Sequence, residues 1–562
     1  MKGKNNGITL VALIITIIIL LILAGVTILS LTQTNLLESA KESKTQTEIA
    51  SIKEEIQTDI LGKQSENNGN ISDDTLKGIL EKYGILSDEE KLTDKTLTTT
   101  KGNYKIKVSD IFNGTIAKDE TKKPTFTTVA NEPDITKFNK SNTYYVSWDL
   151  TSSPYQINED TNLNGVAPSN WYDYTEGVNH WANVKTTGGG NDCYWVWIPR
   201  YAYKVPTRSS TAETIEIKFL KDDTNIPIGE TAEITNTTPT PGTWVVHPAF
   251  TNVGNGGLGD LIGIWVAKYE ASSSSVNTIN LENKTLTGDT NSLLGTGGET
   301  DTSLQVRVKP NVTSWRGLNV NDVFTVCKNL TKTIKGQENS LVGSTNLDSH
   351  MIKNTEWGAV AYLSSSKYGK TDSSGNRVRV YNNPYYNNTT NYSPITGLAG
   401  KTATQTNAGT TTNLYKYNTT EGVNASTTGN VYGIYDMAGG AWEYVAGYLS
   451  KITALTNYTT LASAVSKYKD VYAGNSGDRN TNYNANTGKY GDAVYETSSS
   501  GSSDTGSWDS CQTYFINSNS PVFVRGGLAQ GGKVAGIFAF NTSVGGSRTY
   551  TSFRPVITLM SK

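Results

Sequence analysis

Cysteine and histidine are nearly absent from this sequence, with three of each in 562 residues. Cys193, Cys327 and Cys511 are odd in number and far apart, which excludes a disulfide framework and a C-x-x-C zinc site. One bridge with a spare thiol and three buried free thiols are both compatible with that spacing. His180, His247 and His350 form no H-x-x-x-H or H-E-x-x-H pair, so each reads as structural. An excess of charge is also missing. The net charge is −2 and charged residues make up 18%, so nothing draws the chain to nucleic acid. No D-x-D-x-D-G loop marks a calcium site.

What is present is length, glycine and tyrosine. The chain is too long for one ordinary core, so two or three domains are expected. Tyr (31) far exceeds Phe (11), and Thr, Asn and Ser crowd the second half. Such a surface bonds through neutral groups, and rigid amphipathic rings suit an adaptable binding face.

The N-terminus carries the one long apolar run. No charge occurs from Ile8 to Leu31, and a helix there covers about 36 Å, enough for a bilayer core. Lys2 and Lys4 precede it, which predicts an anchored chain with the large domain exported to the cell surface. Ile49, Ile52, Ile56 and Ile60 lie on one helical face, extending the helix as an amphipathic stalk to Gly62. Residues 71–92 read as a helical pair and 93–116 as a hairpin. The division is thus 1–7 leader, 8–31 membrane helix, 32–62 stalk, 63–140 small region and linker, and 141–562 a large domain. The fold class expected is α+β, a long N-terminal helix followed by a domain with long polar loops.

KNNGITLVAL resembles a type IV prepilin leader. By that resemblance a peptidase cuts after Gly7, and Ile8 becomes the new N-terminus. The family's usual Glu at the fifth mature position is Ala12 here, a departure that bears on filament assembly. A plain uncleaved anchor is the alternative. Self-association through this helix, as a pilin-like subunit, is a rival function.

In the large domain, CYWVWIPRYAYKV and LIGIWVAKYEAS read as strands, and residues 314–330 and 356–363 as helices. Residues 371–430 read as insertion loops. Lys268-Tyr269-Glu270, Glu356-Trp357, Asp436-Met437-Ala438-Gly439 with Trp442-Glu443, Arg525-Gly526-Gly527 and Phe553-Arg554 then occur in order. That series resembles the formylglycine-generating enzyme or sulfatase-modifying-factor family, which has a C-type-lectin-like fold. The resemblance implies calcium as the one conceivable cofactor. The family's copper-holding cysteine pair lies between the R-G-G turn and the terminal G-F-R. Residues 528–552 contain no Cys, so the chain is expected not to be an enzyme of this kind.

Residues 525–557 pair a stiff frame with arbitrary filler. Arg525 and Arg554 are expected to be buried donors, with Glu443 and Asp436 as candidate acceptors beside Trp442. Gly526 and Gly527 allow a tight turn, and Phe538 and Phe540 face inward while residue 539 faces out. Phe553 and Arg554 close the frame. The pattern resembles the variable region of a diversity-generating retroelement target protein. By that resemblance the exposed positions are Leu528, Ala529, Gln530, Lys533, Val534, Ile537, Ala539, Asn541, Thr542, Ser543, Val544, Ser547, Arg548, Thr549, Tyr550 and Thr551. They imply a binding face for an unidentified protein or glycan.

Overall fold

The isoleucine stripe finds its partner close by in the chain. Ile52, Ile56 and Ile60 are buried in one small core with Leu76, Ile79 and Leu80 of the helix Asp73–Tyr83, and with Leu97, Ile106 and Ile111. That helix runs straight into a strand, Gly84–Leu86, which heads an antiparallel sheet with Thr96–Thr99 and Lys105–Lys107. Gly84 is needed there, because a Cβ would stand 2.1 Å from the Thr98 carbonyl oxygen. The 71–92 region is therefore a helix and a strand rather than a helical pair. The described part of the supposed stalk is core.

The computed structural model describes residues 129–275, 301–384, 386–387, 392–406, 414–450 and 456–559, with stretches between 48 and 111. The chain divides into two units, Met1–Lys123 and Pro124–Lys562. Gly7, Ile8 and the apolar run 8–31 lie outside the described residues. Among the described residues no helix is long and apolar enough to cross a membrane. This corrects the expectation of a transmembrane, pilin-like, membrane-anchored chain. The α+β reading led by a long helix is corrected too. The described residues are mostly sheet, and the two longest helices with described ends have 11 residues each.

The second unit holds two large sheets beside smaller ones, among them a three-stranded sheet of Tyr201–Lys204, Ile217–Phe219 and Trp244–Val246. The strands of the two large sheets, in chain order, are β1 (Thr143–Asp149), β2 (Gln156–Asn158), β3 (Asn183–Thr186), β4 (Cys193–Pro199), β5 (Gly263–Ala267), β6 (Leu347–Met351), β7 (Trp442–Leu449), β8 (Asp470–Tyr472), β9 (Ser502–Ser503), β10 (Thr513–Tyr514), β11 (Val522–Arg525), β12 (Phe540–Ser543), β13 (Thr551–Phe553) and β14 (Pro555–Leu559). The first sheet runs β6-β14-β5-β4-β3-β1-β2, antiparallel throughout. The second runs β8-β7-β11-β12-β10-β9, with β13 parallel to β7.

β4 is bulky on both faces because both are covered. Trp197 packs on Trp265 with ring centroids 5.2 Å apart, and its indole donates to the Asn131 carbonyl. Residues 129–140, placed in the linker from sequence, thus join this core, with Ala130 and Phe138 buried. Helix α1 (Val320–Lys328) is N-capped by Asn319 and buries Val323, Phe324 and Cys327. Helix α2 (Asn354–Ser364) is covered on all sides. All three cysteines are free and buried.

Glu496 ties α2 to the strand Tyr201–Lys204, accepting from the Tyr362 and Tyr203 hydroxyls and from the Gly491 N–H. Burial pushes its carboxyl up to about 7 against those donors. A raised acid contributes stability that is complete below its unfolded value, about 4.3, and is lost as the pH rises through about 7. Glu496→Gln removes this titration. The Tm difference between variant and parent should therefore move in the variant's favour across that window. A difference that stays constant with pH in calorimetry refutes the assignment.

Candidate ligand-binding face

The frame starts where β11 ends. Arg525 is fully buried. Its Nε donates to the Ala539 carbonyl at 3.0 Å, Nη1 to Asp492 O and Asn354 Oδ1 at 2.9 and 3.1 Å, and Nη2 to Ala493 O at 3.0 Å. Burial lowers its pKa to about 10, still charged at neutral pH. Although β7 places Glu443 opposite Arg525, the carboxylate pairs with Arg554 instead. Arg554 Nε and Nη2 reach Glu443 Oε2 and Oε1 at 3.1 and 2.8 Å, and the same fork donates to Ala267 O and Tyr435 O. Asp436 bonds neither arginine. It accepts from Gly397 N, Glu270 N and Asn383 Nδ2. Burial raises the Glu270, Asp436 and Glu443 carboxyls together, and Arg554 pulls each back.

After Arg525 the chain turns through Gly526 and Gly527, both with φ above +80°. A Cβ on Gly527 would sit 2.4 Å from the Ala535 Cα. Two loops follow, 528–535 and 544–550, joined by β12. They meet over one short segment: Ala529 N–H donates to Gly440 O, and Trp442 N–H donates to Tyr550 O. Trp442 lies beneath them, 9% exposed.

The loops are held by their backbones. Arg379 donates to the carbonyls of Lys533 and Ala535, and Asn382 to that of Gly532. Arg316 donates to Thr549 O, Gly317 N to Arg548 O, Val320 N to Gly545 O, and the Tyr444 hydroxyl to Gly546 O. Such bonds do not depend on the side chain carried at the accepting residue.

The side chains divide into three groups. Gln530, Lys533, Ser547, Arg548, Thr549 and Tyr550 are exposed. Leu528, Val534, Asn541, Thr542, Ser543 and Val544 are half-buried, and two of these make internal bonds, Asn541 to Gln512 and Ser543 to Tyr444. Ala529, Ile537, Ala539 and Thr551 are buried, which corrects their placement on the surface. Strand alternation fails at 538–540 because Ala539 N–H closes a turn onto Gly536 O and β12 begins only at Phe540. Ala539 is therefore covered together with Phe538 and Phe540. Ile537 is covered where its carbonyl meets the Trp357 indole, and Thr551 is paired with Trp442. Phe553 is buried in β13.

Sequence reasoning missed the supports. Asn382, Asn383, Arg379 and Arg316 hold the loops or Asp436, and three of the four come from the stretch read as insertion loops. Buried asparagines in a polar run carry no periodicity to betray them. Cys511 lies under the first loop, its thiol pushed up to about 12 by burial and directed at Ala535 O. Among the described residues no group of three or more His, Cys, Asp or Glu is arranged to hold a metal ion. No protein family and no curated protein matches this chain.

Proposed function

We propose that this chain is a ligand-binding protein whose recognition face is the outer side of residues 528–550, of the kind that diversity-generating retroelements diversify. The observation that carries the reading is the way the two loops are held. Buried Arg316 and Asn382 and half-buried Arg379 grip their carbonyls, while the side chains of Gln530, Lys533, Arg548, Thr549 and Tyr550 are exposed. A surface built so tolerates substitution without loss of fold. The ordered motifs resembling the sulfatase-modifying family support the same reading. A catalytic reading lacks support, since 528–552 supplies no cysteine, histidine or carboxylate.

Arginine and tyrosine are the side chains that most often dominate binding energy. Arg548→Ala with Tyr550→Ala should cost at least about 2 kcal/mol of binding, roughly thirtyfold, to a ligand captured by the parent. The same pair should leave stability within about 0.5 kcal/mol of the parent by calorimetry. Unfolding of that double variant would end the proposal. Diversification has its own test in the coding DNA. A nearby imperfect copy of the 522–557 segment, differing mainly at adenines and beside a reverse-transcriptase gene, is the expected result. Without such a copy, that part of the reading fails.

A further inference from the structure

Acid is what the binding face lacks. Residues 373–420 and 510–562 hold nine Lys and Arg and no Asp or Glu. The whole chain carries 51 acids against 49 bases, so its negative charge lies elsewhere. The fold brings the two acid-free stretches together. Arg379 and Asn382 hold carbonyls of the first loop, and a Cβ on Gly532 would stand 2.7 Å from Thr406 Cγ2 and 3.0 Å from Thr404 O. Lys401 belongs to that same support and is exposed.

The cations there are uncompensated. Lys401, Lys533 and Arg548 are exposed and form no ion pair among the described residues. Arg379 donates to the carbonyls of Asp509, Lys533 and Ala535 and to no carboxylate. Lysines on other surfaces are matched: Lys185 pairs with Glu159, Lys204 with Glu216, Lys218 with Glu230 and Lys367 with Glu176. The carboxylates that border the face are engaged. Asp509 takes the Arg377 fork, Asp504 accepts from Tyr514 and Gln512, and Asp322 accepts from Asn319. Glu270, Asp436 and Glu443 lie inside the fold, with Arg554 as their shared cation.

This pattern narrows the partner, given the reading of 528–550 as the binding face, on which the inference rests. A patch of one sign attracts and orients a patch of the other. A polyphosphate or sulfated polymer is held by a row of cations. Here Lys401, Lys533 and Arg548 stand on three separate loops. The same face carries half-buried Leu528, Val534 and Val544, and Tyr550 at 40% exposure. A uniformly charged polymer leaves that apolar surface unused, whereas a protein surface covers it. We propose that the 528–550 face docks on an acidic protein surface, with Asp and Glu side chains set against Lys401, Lys533 and Arg548. Residues 533 and 548 belong to the arbitrary filler, but Arg379 and Lys401 belong to the support. Part of the charge preference is therefore built outside the segment that changes.

The test titrates the full chain against a fluorescent peptide of alternating Glu and Tyr. A Lys-Tyr peptide and a DNA duplex are the other probes, and anisotropy is the readout. The Glu-Tyr peptide should bind saturably and more tightly than either, and lose most of its affinity when salt is raised to about 0.3 M. Lys401→Glu with Lys533→Glu reverses two exposed charges and should weaken that binding by about tenfold or more. Lys335→Glu, on the distant hairpin Thr333–Glu338, should leave it unchanged. The inference is overturned if the Glu-Tyr peptide fails to bind, if the Lys-Tyr peptide or DNA binds more tightly, or if the Lys401/Lys533 variant keeps full affinity. The face itself is tested by the calorimetry of Arg548→Ala with Tyr550→Ala, which involves no probe, so the two failures are told apart.

Discussion

Arg554→Ala is expected to lower the stability of the large unit by about 3–5 kcal/mol, enough to unfold much of it at physiological temperature. Arg554 stands between β13 and β14, where the chain leaves the second sheet for the first. Its guanidinium touches Ala267 O at the end of β5, Tyr435 O, and Glu443 of β7, and both ionic partners are 0% exposed. Truncation strands a buried carboxylate and two carbonyls at once. Three carboxyls already crowd this charge, and burial has raised all three. Removing the cation forces Glu443 to take up a proton, so the loss should be larger above pH 6 than below it. Arg554→Lys keeps the charge but not the planar fork, and an intermediate loss is expected. Urea unfolding of the three proteins checks the order. A Tm for Arg554→Ala equal to the parent's would show that the two sheets do not depend on this clamp.

Arg525→Ala should have an effect of similar size by another route. It breaks no ion pair with Glu443. It leaves the carbonyls of Ala539, Asp492 and Ala493 and the Asn354 Oδ1 without their donor, all in buried surroundings. The Trp357 ring, whose centroid lies 5.5 Å from the guanidinium carbon, loses its cation as well. At roughly 1 kcal/mol or more for each stranded acceptor, a loss above about 4 kcal/mol is expected. The Ala539 contact lies at the entry to β12, between the two loops of the binding face. Any folded fraction should therefore show weakened ligand binding. The comparison with Arg548→Ala and Tyr550→Ala is the informative one. One arginine is expected to be indispensable to the fold, while the other, 23 positions along, is expected to be free to change. An Arg525→Ala protein with parental stability would remove the distinction between frame and filler.

Local pattern explains which parts of this architecture could be read in advance. The α1 stripe of Val323, Phe324 and Cys327 has helical spacing, and the glycine pair after Arg525 marks a turn, so neither depends on distant contacts. The stripe at Ile52, Ile56 and Ile60 has the same spacing, yet periodicity does not say what covers it. Here Leu76, Ile79 and Leu80 do, and a free stalk becomes a local core. Alternation misled at Ala539 because the chain turns there instead of running extended. The acceptor of each arginine was a question of the same kind. Two candidate carboxylates, Asp436 and Glu443, stand against two guanidinium forks, and only the path of β13 and β14 brings Glu443 to Arg554 rather than to Arg525.

The order of motifs, the absence of catalytic side chains between 528 and 552, and the division of that segment into rigid and arbitrary positions are properties of the sequence alone. They rest on residue chemistry: glycine permits the turns, arginine satisfies several carbonyls, and polar filler makes no local structure. Tertiary structure decided which filler is exposed and which asparagines and arginines grip the loop carbonyls. Those are contacts between residues far apart in the chain, and hydrogen-bond partners chosen at such distances leave no periodic trace in the sequence.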